Sequence, residues 1–159
     1  MLLSGALAGA ISTLLALAST EGVLAAVVQF LGLIRWPFLV PYLARSATDP
    51  GASAARKEAV DVVFQSFNRF LGVAVGEHLG YLFSGAWSVL AGVAMTQSTV
   101  VPVWLGTVGI IVGAMLALCS LEFVGSFEPE GWKLAAALTP ATYVVWSLWL
   151  VTVGVFLLL

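Results

Sequence analysis

The sequence predicts an all-α fold, a polytopic transmembrane helical bundle, on three observations. Apolar residues make up 61% of the 159 positions and charged residues 9%, against about 45–50% and about 25% in soluble domains. Apolar runs near the roughly 20 residues needed to cross a bilayer recur along the chain, separated by short clusters of turn-forming residues. Glycine, serine or threonine then occupies every fourth position through Gly72, Gly76, Gly80, Ser84, Ser88, Gly92 and Thr96. Positions four apart form one ridge of a helix, and a ridge this flat admits a second backbone at close range.

Five spans are expected within a single domain, about 2–18, 23–44, 70–95, 102–123 and 140–158, with an amphipathic helix about 50–69. The first run, MLLSGALAGAISTLLALAST, lacks a charged leader region and continues into further apolar sequence, so it reads as a retained span. It stops at Ser19-Thr20-Glu21-Gly22, a cluster with turn and N-cap chemistry. The second run carries Arg35, and Pro37 and Pro41 remove backbone donors and predict a bend. A four-span alternative replaces both runs by one tilted helix from about Ser4 to Ile34, leaving RWPFLVPYLA as an interfacial segment.

Asp49-Pro50 resembles an N-cap followed by proline in the first turn. Val60, Val63, Phe64 and Phe67 then recur at helical spacing among charged residues, and no break separates this stretch from the third span. Pro102 suits the first turn of the fourth span, where Gly109, Gly113 and Ala117 make a second small ridge. Packing within the chain between this stripe, Gly72, Gly76, Gly80 and Ser84 onward to Thr96, and the ridge of Gly109, Gly113 and Ala117 is favoured over a homo-oligomeric contact. The segment GSFEPEGW reads as a loop, and Thr139-Pro140 as the start of the last span.

Five spans place Arg45, Arg56, Lys57, Arg69 and Lys133 on one side and no basic residue on the other. The positive-inside bias makes the basic side cytoplasmic, with the N-terminus inside and the C-terminus outside. Four spans keep that side but move the N-terminus out.

Ionisable residues at membrane depth are costly and call for partners. At 1.5 Å per residue, Arg35 and Glu77 enter from the same side to depths of about 13 and about 10 Å. Arg35, Glu77, His78, Tyr81 and Glu122 are therefore the candidate polar cluster, with an Arg35–Glu77 ion pair at its centre and His78 or Tyr81 beside it. The cluster serves either to bind a lipid head group, proton or small molecule, or to fix helix register.

His78 is the single histidine and has no Cys-rich or carboxylate-rich companions, so no metal and no cofactor are expected. Cys119, the single cysteine, forms no intrachain disulfide. A net charge of -2 with six scattered Lys and Arg argues against nucleic acid. The serine-elbow, phosphate-loop and zinc-protease motifs are missing, so the reading leans away from an enzyme, with Glu77 and His78 as the only acid–base pair to consider. A membrane binding or assembly component with the bilayer as its partner leads; a small transporter or a membrane enzyme is the alternative.

Across RWPFLVPYLA (Arg35 to Ala44), VFQSFNRFLGVAVGEHLGYLFSGAW (Val63 to Trp87) and VVWSLWLVTVGVFLL (Val144 to Leu158), the chain resembles a group of uncharacterised bacterial membrane proteins classed as a domain of unknown function. The resemblance implies a protein of the bacterial cytoplasmic membrane. It implies no substrate, cofactor or catalytic residue.

Overall fold

The computed structural model describes the backbone of residues 2–128 and 130–158, and side chains from residue 12 onward within those segments. All regular structure among the described residues is helical. Helix α1 (Leu2–Leu33) and α2 (Arg35–Thr48) form one rod; α3 (Ala54–Phe67), a π-helix (Asn68–Leu79) and α4 (Gly80–Thr96) form a second; α5 (Val103–Cys119) and α6 (Lys133–Leu158) complete the bundle. Ser12–Thr48, Ala54–Thr96 and Lys133–Leu158 are long and apolar enough to cross a membrane, whereas α5 is a shorter apolar helix of 17 residues.

The five-span count is not met, because the turn expected at Ser19 to Gly22 does not form. The Ser19 and Thr20 hydroxyls donate to the carbonyls of Leu15 and Ala16 one turn back. These residues thereby satisfy their polar groups without leaving the helix, the only economical arrangement where water is absent. Gly22 stays helical against the Trp87 indole, which lies 3.0 Å from where a Cβ would stand. The break falls instead at Ile34, three residues before Pro37, whose ring and missing N–H disturb the ladder at Leu33. Pro41 lies inside α2.

Rod one runs antiparallel to rod two: Gly22 meets Trp87, Gln29 meets Gly80, and Gly32 meets Gly76. The N-terminus of α1 therefore lies at the opposite end from the α2–α3 connection, not beside it as five spans required. Asp49 ends α2 and accepts from the Gly51 N–H, while Ser53 is the N-cap of α3 and accepts from the Arg56 N–H. The helix start expected at Asp49-Pro50 is thus displaced to Ala54, because the Asp49 carboxylate is engaged with Gly51 and with Arg56 at 3.3 Å. From Ala54 the rod is unbroken into the third expected span.

Pro102 caps α5 rather than entering it, and α5 stops at Cys119, short of the expected Phe123. The loop between α5 and α6 is closed by a Trp132 N–H to Glu122 carbonyl bond of 2.7 Å, with Gly125 and Gly131 at positive φ. Helix α6 begins at Lys133, and Thr139-Pro140 lies inside it: the Thr139 hydroxyl donates back to the Ala135 carbonyl instead of capping a helix.

The small-residue ridge is divided between two neighbours. Gly72, Gly76, Gly80 and Ser84 face Arg35, Gly32 and Gln29 of rod one. Gly92 of the ridge, and Gly85 one position off it, meet the Gly106 and Gly113 carbonyls of α5, each 2.6 Å from the position a Cβ would take, and Ser88 of the ridge lies against Gly113. The expected pairing with Gly113 thus holds only for the later turns. Gly109 is covered by the Trp149 indole of α6, whose Nε1–H donates to the Leu105 carbonyl at 2.9 Å. Outside these seams the surface carries exposed Phe30, Phe38, Leu148 and Val151, the apolar exterior that lipid would face.

Candidate functional site

The candidate cluster gathers where the α1–α2 break faces the π-helix. Twelve residues, Asn68–Leu79, take the π form, whose i→i+5 bonds widen the turn and which clusters at functional positions. Gly72 and Gly76 leave this wide turn without side chains on its inner face. A Cβ on Gly72 would stand 2.7 Å from Arg35 Nη2, so a side chain there would push the guanidinium from its present position.

Arg35 and Glu77 line one open cleft of about 330 Å³, together with Gln29, Gly32, Leu33, Trp36, Gly72, Gly76 and Tyr143. They do not form the expected ion pair. The Arg35 guanidinium donates to the Gly32 carbonyl through Nη1 and to Asn68 Oδ1 at 3.1 Å through Nη2, and lies 5.2 Å from the Trp36 ring centroid. A backbone carbonyl three residues away and an amide on the facing turn reach the cation first, because the helix break at Ile34 turns Arg35 back along its own rod. Arg35 Nε is buried with no hydrogen-bond partner. The Glu77 carboxylate, half-buried, has no hydrogen bond or ion pair among the described residues, yet lies within electrostatic reach of Arg35 and Glu122.

His78, Tyr81 and Glu122 lie on the other side of Glu77, around a crevice of about 10 Å³ that Cys119 and Ser120 also line. That is the scale of one water molecule. His78 Nδ1 is 2.7 Å from the Ser120 carbonyl oxygen. A carbonyl only accepts, so Nδ1 carries the proton in this contact. Tyr81 stands edge-on to Tyr143 at 5.3 Å, and Tyr143 to Trp146 at 5.8 Å. The five candidates are therefore neighbours arranged about Glu77, with Arg35 on one side and the other three on the opposite one.

Gln29, Asn68, Ser120 and Tyr143 also belong to this neighbourhood. Gln29 and Asn68 are uncharged, so a search for ionisable groups passes over them; each is nonetheless a polar residue close to an apolar run. Ser120 contributes only its carbonyl, which no sequence motif marks. No group of three or more His, Cys, Asp or Glu able to hold a metal occurs among the described residues.

A second cleft of about 390 Å³ lies between the π-helix and the α5–α6 loop, lined by Phe70, Val73, His78, Phe123 and the Arg69–Glu128 ion pair. That pair ties the loop to rod two. Arg45, Arg56, Lys57, Arg69 and Lys133 lie toward the same end of the bundle, around the α2–α3 and α5–α6 connections.

A family model described as "Domain of unknown function (DUF4386)" matches residues 2–154. No curated protein and no solved structure matches the chain.

Proposed function

We propose that this chain, which belongs to the domain-of-unknown-function family DUF4386, is a multi-pass protein of the bacterial cytoplasmic membrane that binds a polar ligand between Arg35 and Glu77. It acts as a binding or assembly component rather than an enzyme. The carrying observation is that a guanidinium and a carboxylate line one cleft of about 330 Å³ and leave each other unpaired. Two opposite charges at membrane depth that served only to hold helices together would be expected to close on one another. Kept apart, they are available to groups that come from outside the chain.

The three long apolar helices support the membrane reading, and the clustering of Arg45, Arg56, Lys57, Arg69 and Lys133 toward one end supports a cytoplasmic placement of that end. With α1 continuous, both termini then lie outside. The binding reading is tested by extracting small molecules and lipids from detergent-purified wild type and from Arg35→Ala/Glu77→Ala, and comparing them by mass spectrometry. A species enriched with the wild type and lost from the double variant is the expected result; identical extracts from both would sink it.

A further inference from the structure

The geometry points to a zwitterionic ligand for this cleft, a phosphoethanolamine-type head group whose phosphate meets Arg35 and whose ammonium meets Glu77; this rests on the binding reading above. Arg35 gives one N–H of Nη1 to Gly32 and one of Nη2 to Asn68, and each terminal nitrogen keeps a second N–H on a side chain that lines the cleft. A terminal N–H donor of a cation beside a cavity is complementary to an anionic oxygen, and a charge-assisted bond is the strong kind. A simple cation would leave that donor unmet.

A simple anion would leave Glu77 unmet. Glu77 lines the same cavity, and its carboxylate accepts no hydrogen bond and makes no ion pair among the described residues, so N–H donors are groups it can take. An ammonium supplies three. Trp36 and Tyr143 also line the cleft and add aromatic surface of the kind that attracts cations. Arg35 and Glu77 thus read the two ends of one molecule, and the glycines Gly32, Gly72 and Gly76 keep the floor between them free of side chains.

The cleft is flanked by Leu33 and Trp36, 62% and 50% exposed, on the apolar surface. A head group carried by a lipid reaches it sideways without crossing the bundle. The same chemistry also describes a soluble phosphoethanolamine ester, and the two sources differ only in whether an acyl tail adds affinity.

The test titrates the full-length protein in detergent with short-chain phosphatidylethanolamine, phosphatidylcholine, phosphatidylglycerol and soluble glycerophosphoethanolamine, with binding read by native mass spectrometry. Phosphatidylethanolamine should bind about tenfold more tightly than phosphatidylglycerol, which lacks the cation, with phosphatidylcholine between them. Glu77→Gln should abolish that preference while keeping phosphatidylglycerol binding. Arg35→Gln should weaken all the phosphate-bearing ligands together, and Arg35→Lys, which keeps the charge but not the fork of donors, should fall between. Equal affinity of glycerophosphoethanolamine and the intact lipid assigns a soluble ligand; tighter binding of the lipid assigns a bilayer one. Binding without discrimination among head groups, or a preference that survives in Glu77→Gln with an unchanged circular dichroism melt, overturns the zwitterion while leaving the binding reading standing. No binding to the wild type by any of the four overturns the zwitterion alone if the double-alanine extraction still loses a species, and both readings if it does not.

Discussion

A Cβ built on Gly32 would lie 2.6 Å from the Cα of Gly76, so α1 and the π-helix meet backbone to backbone beside the Arg35–Glu77 cleft. The obstacle to any side chain at Gly32 is main chain, which cannot rotate aside. At Gly76 the corresponding approach is 3.1 Å, to the Cα of Gly32. The two glycines therefore differ in how much a methyl group must displace.

Gly32→Ala should destabilise the protein by about 1–3 kcal/mol through overpacking, and Gly76→Ala by less. Gly154 has nothing within 4 Å of the equivalent position, so Gly154→Ala should be neutral or slightly stabilising through helix propensity. Thermal melts in detergent rank the three. Gly32→Ala as stable as wild type would show that the rods separate without cost.

Ser88 joins α4 to α6: its hydroxyl accepts from Trp146 Nε1–H at 2.9 Å and donates to the Ser84 carbonyl at 2.7 Å. Ser88→Ala leaves the indole N–H without its acceptor and should cost about 1–3 kcal/mol. Trp146→Phe removes the donor but also part of the ring packing. A double-mutant cycle isolates the bond, and a coupling energy near zero would mean that the contact does not hold α6 in place.

His78 should carry a proton on Nδ1, since the Ser120 carbonyl accepts at 2.7 Å. Nitrogen-15 spectra of protein labelled at its only histidine read this directly. A ring protonated on Nε2 alone would contradict the arrangement. His78→Asn, which retains a donor near Nδ1, should preserve the melting temperature better than His78→Leu.

Cysteine probes test the topology after Cys119, the only native thiol, is changed to Ala. Probes at Gly51 and Gly125 should be labelled from the cytoplasmic side and one at Ser98 from the outside. A tag on the α1 N-terminus should be outside too. A tag found inside with Gly51 also inside would restore two crossings before residue 49.

Much of this was written locally. The apolar runs, the charged stretch before Phe70 and the loop around Gly125 follow from composition and from turn chemistry that acts within a few residues. The depth argument likewise brought Arg35 and Glu77 to one level, because rise per residue is nearly fixed in a helix. Ser19 to Gly22 and Thr139-Pro140 misled for a reason that is also local: hydroxyl side chains bond equally well as caps or back to the preceding turn. Which of the two they choose depends on what surrounds the helix.

The sequence by itself determined that helices would form, which residues share a ridge, and that an acid and a base would lie at one level. Only the tertiary structure decided which neighbour covers each part of the ridge, that the helix breaks at Ile34 and not at Gly22, and that Arg35 turns to Gly32 and Asn68 instead of Glu77. The reason is that spacing along one helix sets the face a residue shares but not the rotation of that face toward another helix. A π-helical stretch changes that rotation, and a charged side chain goes to the nearest partner the rotation presents.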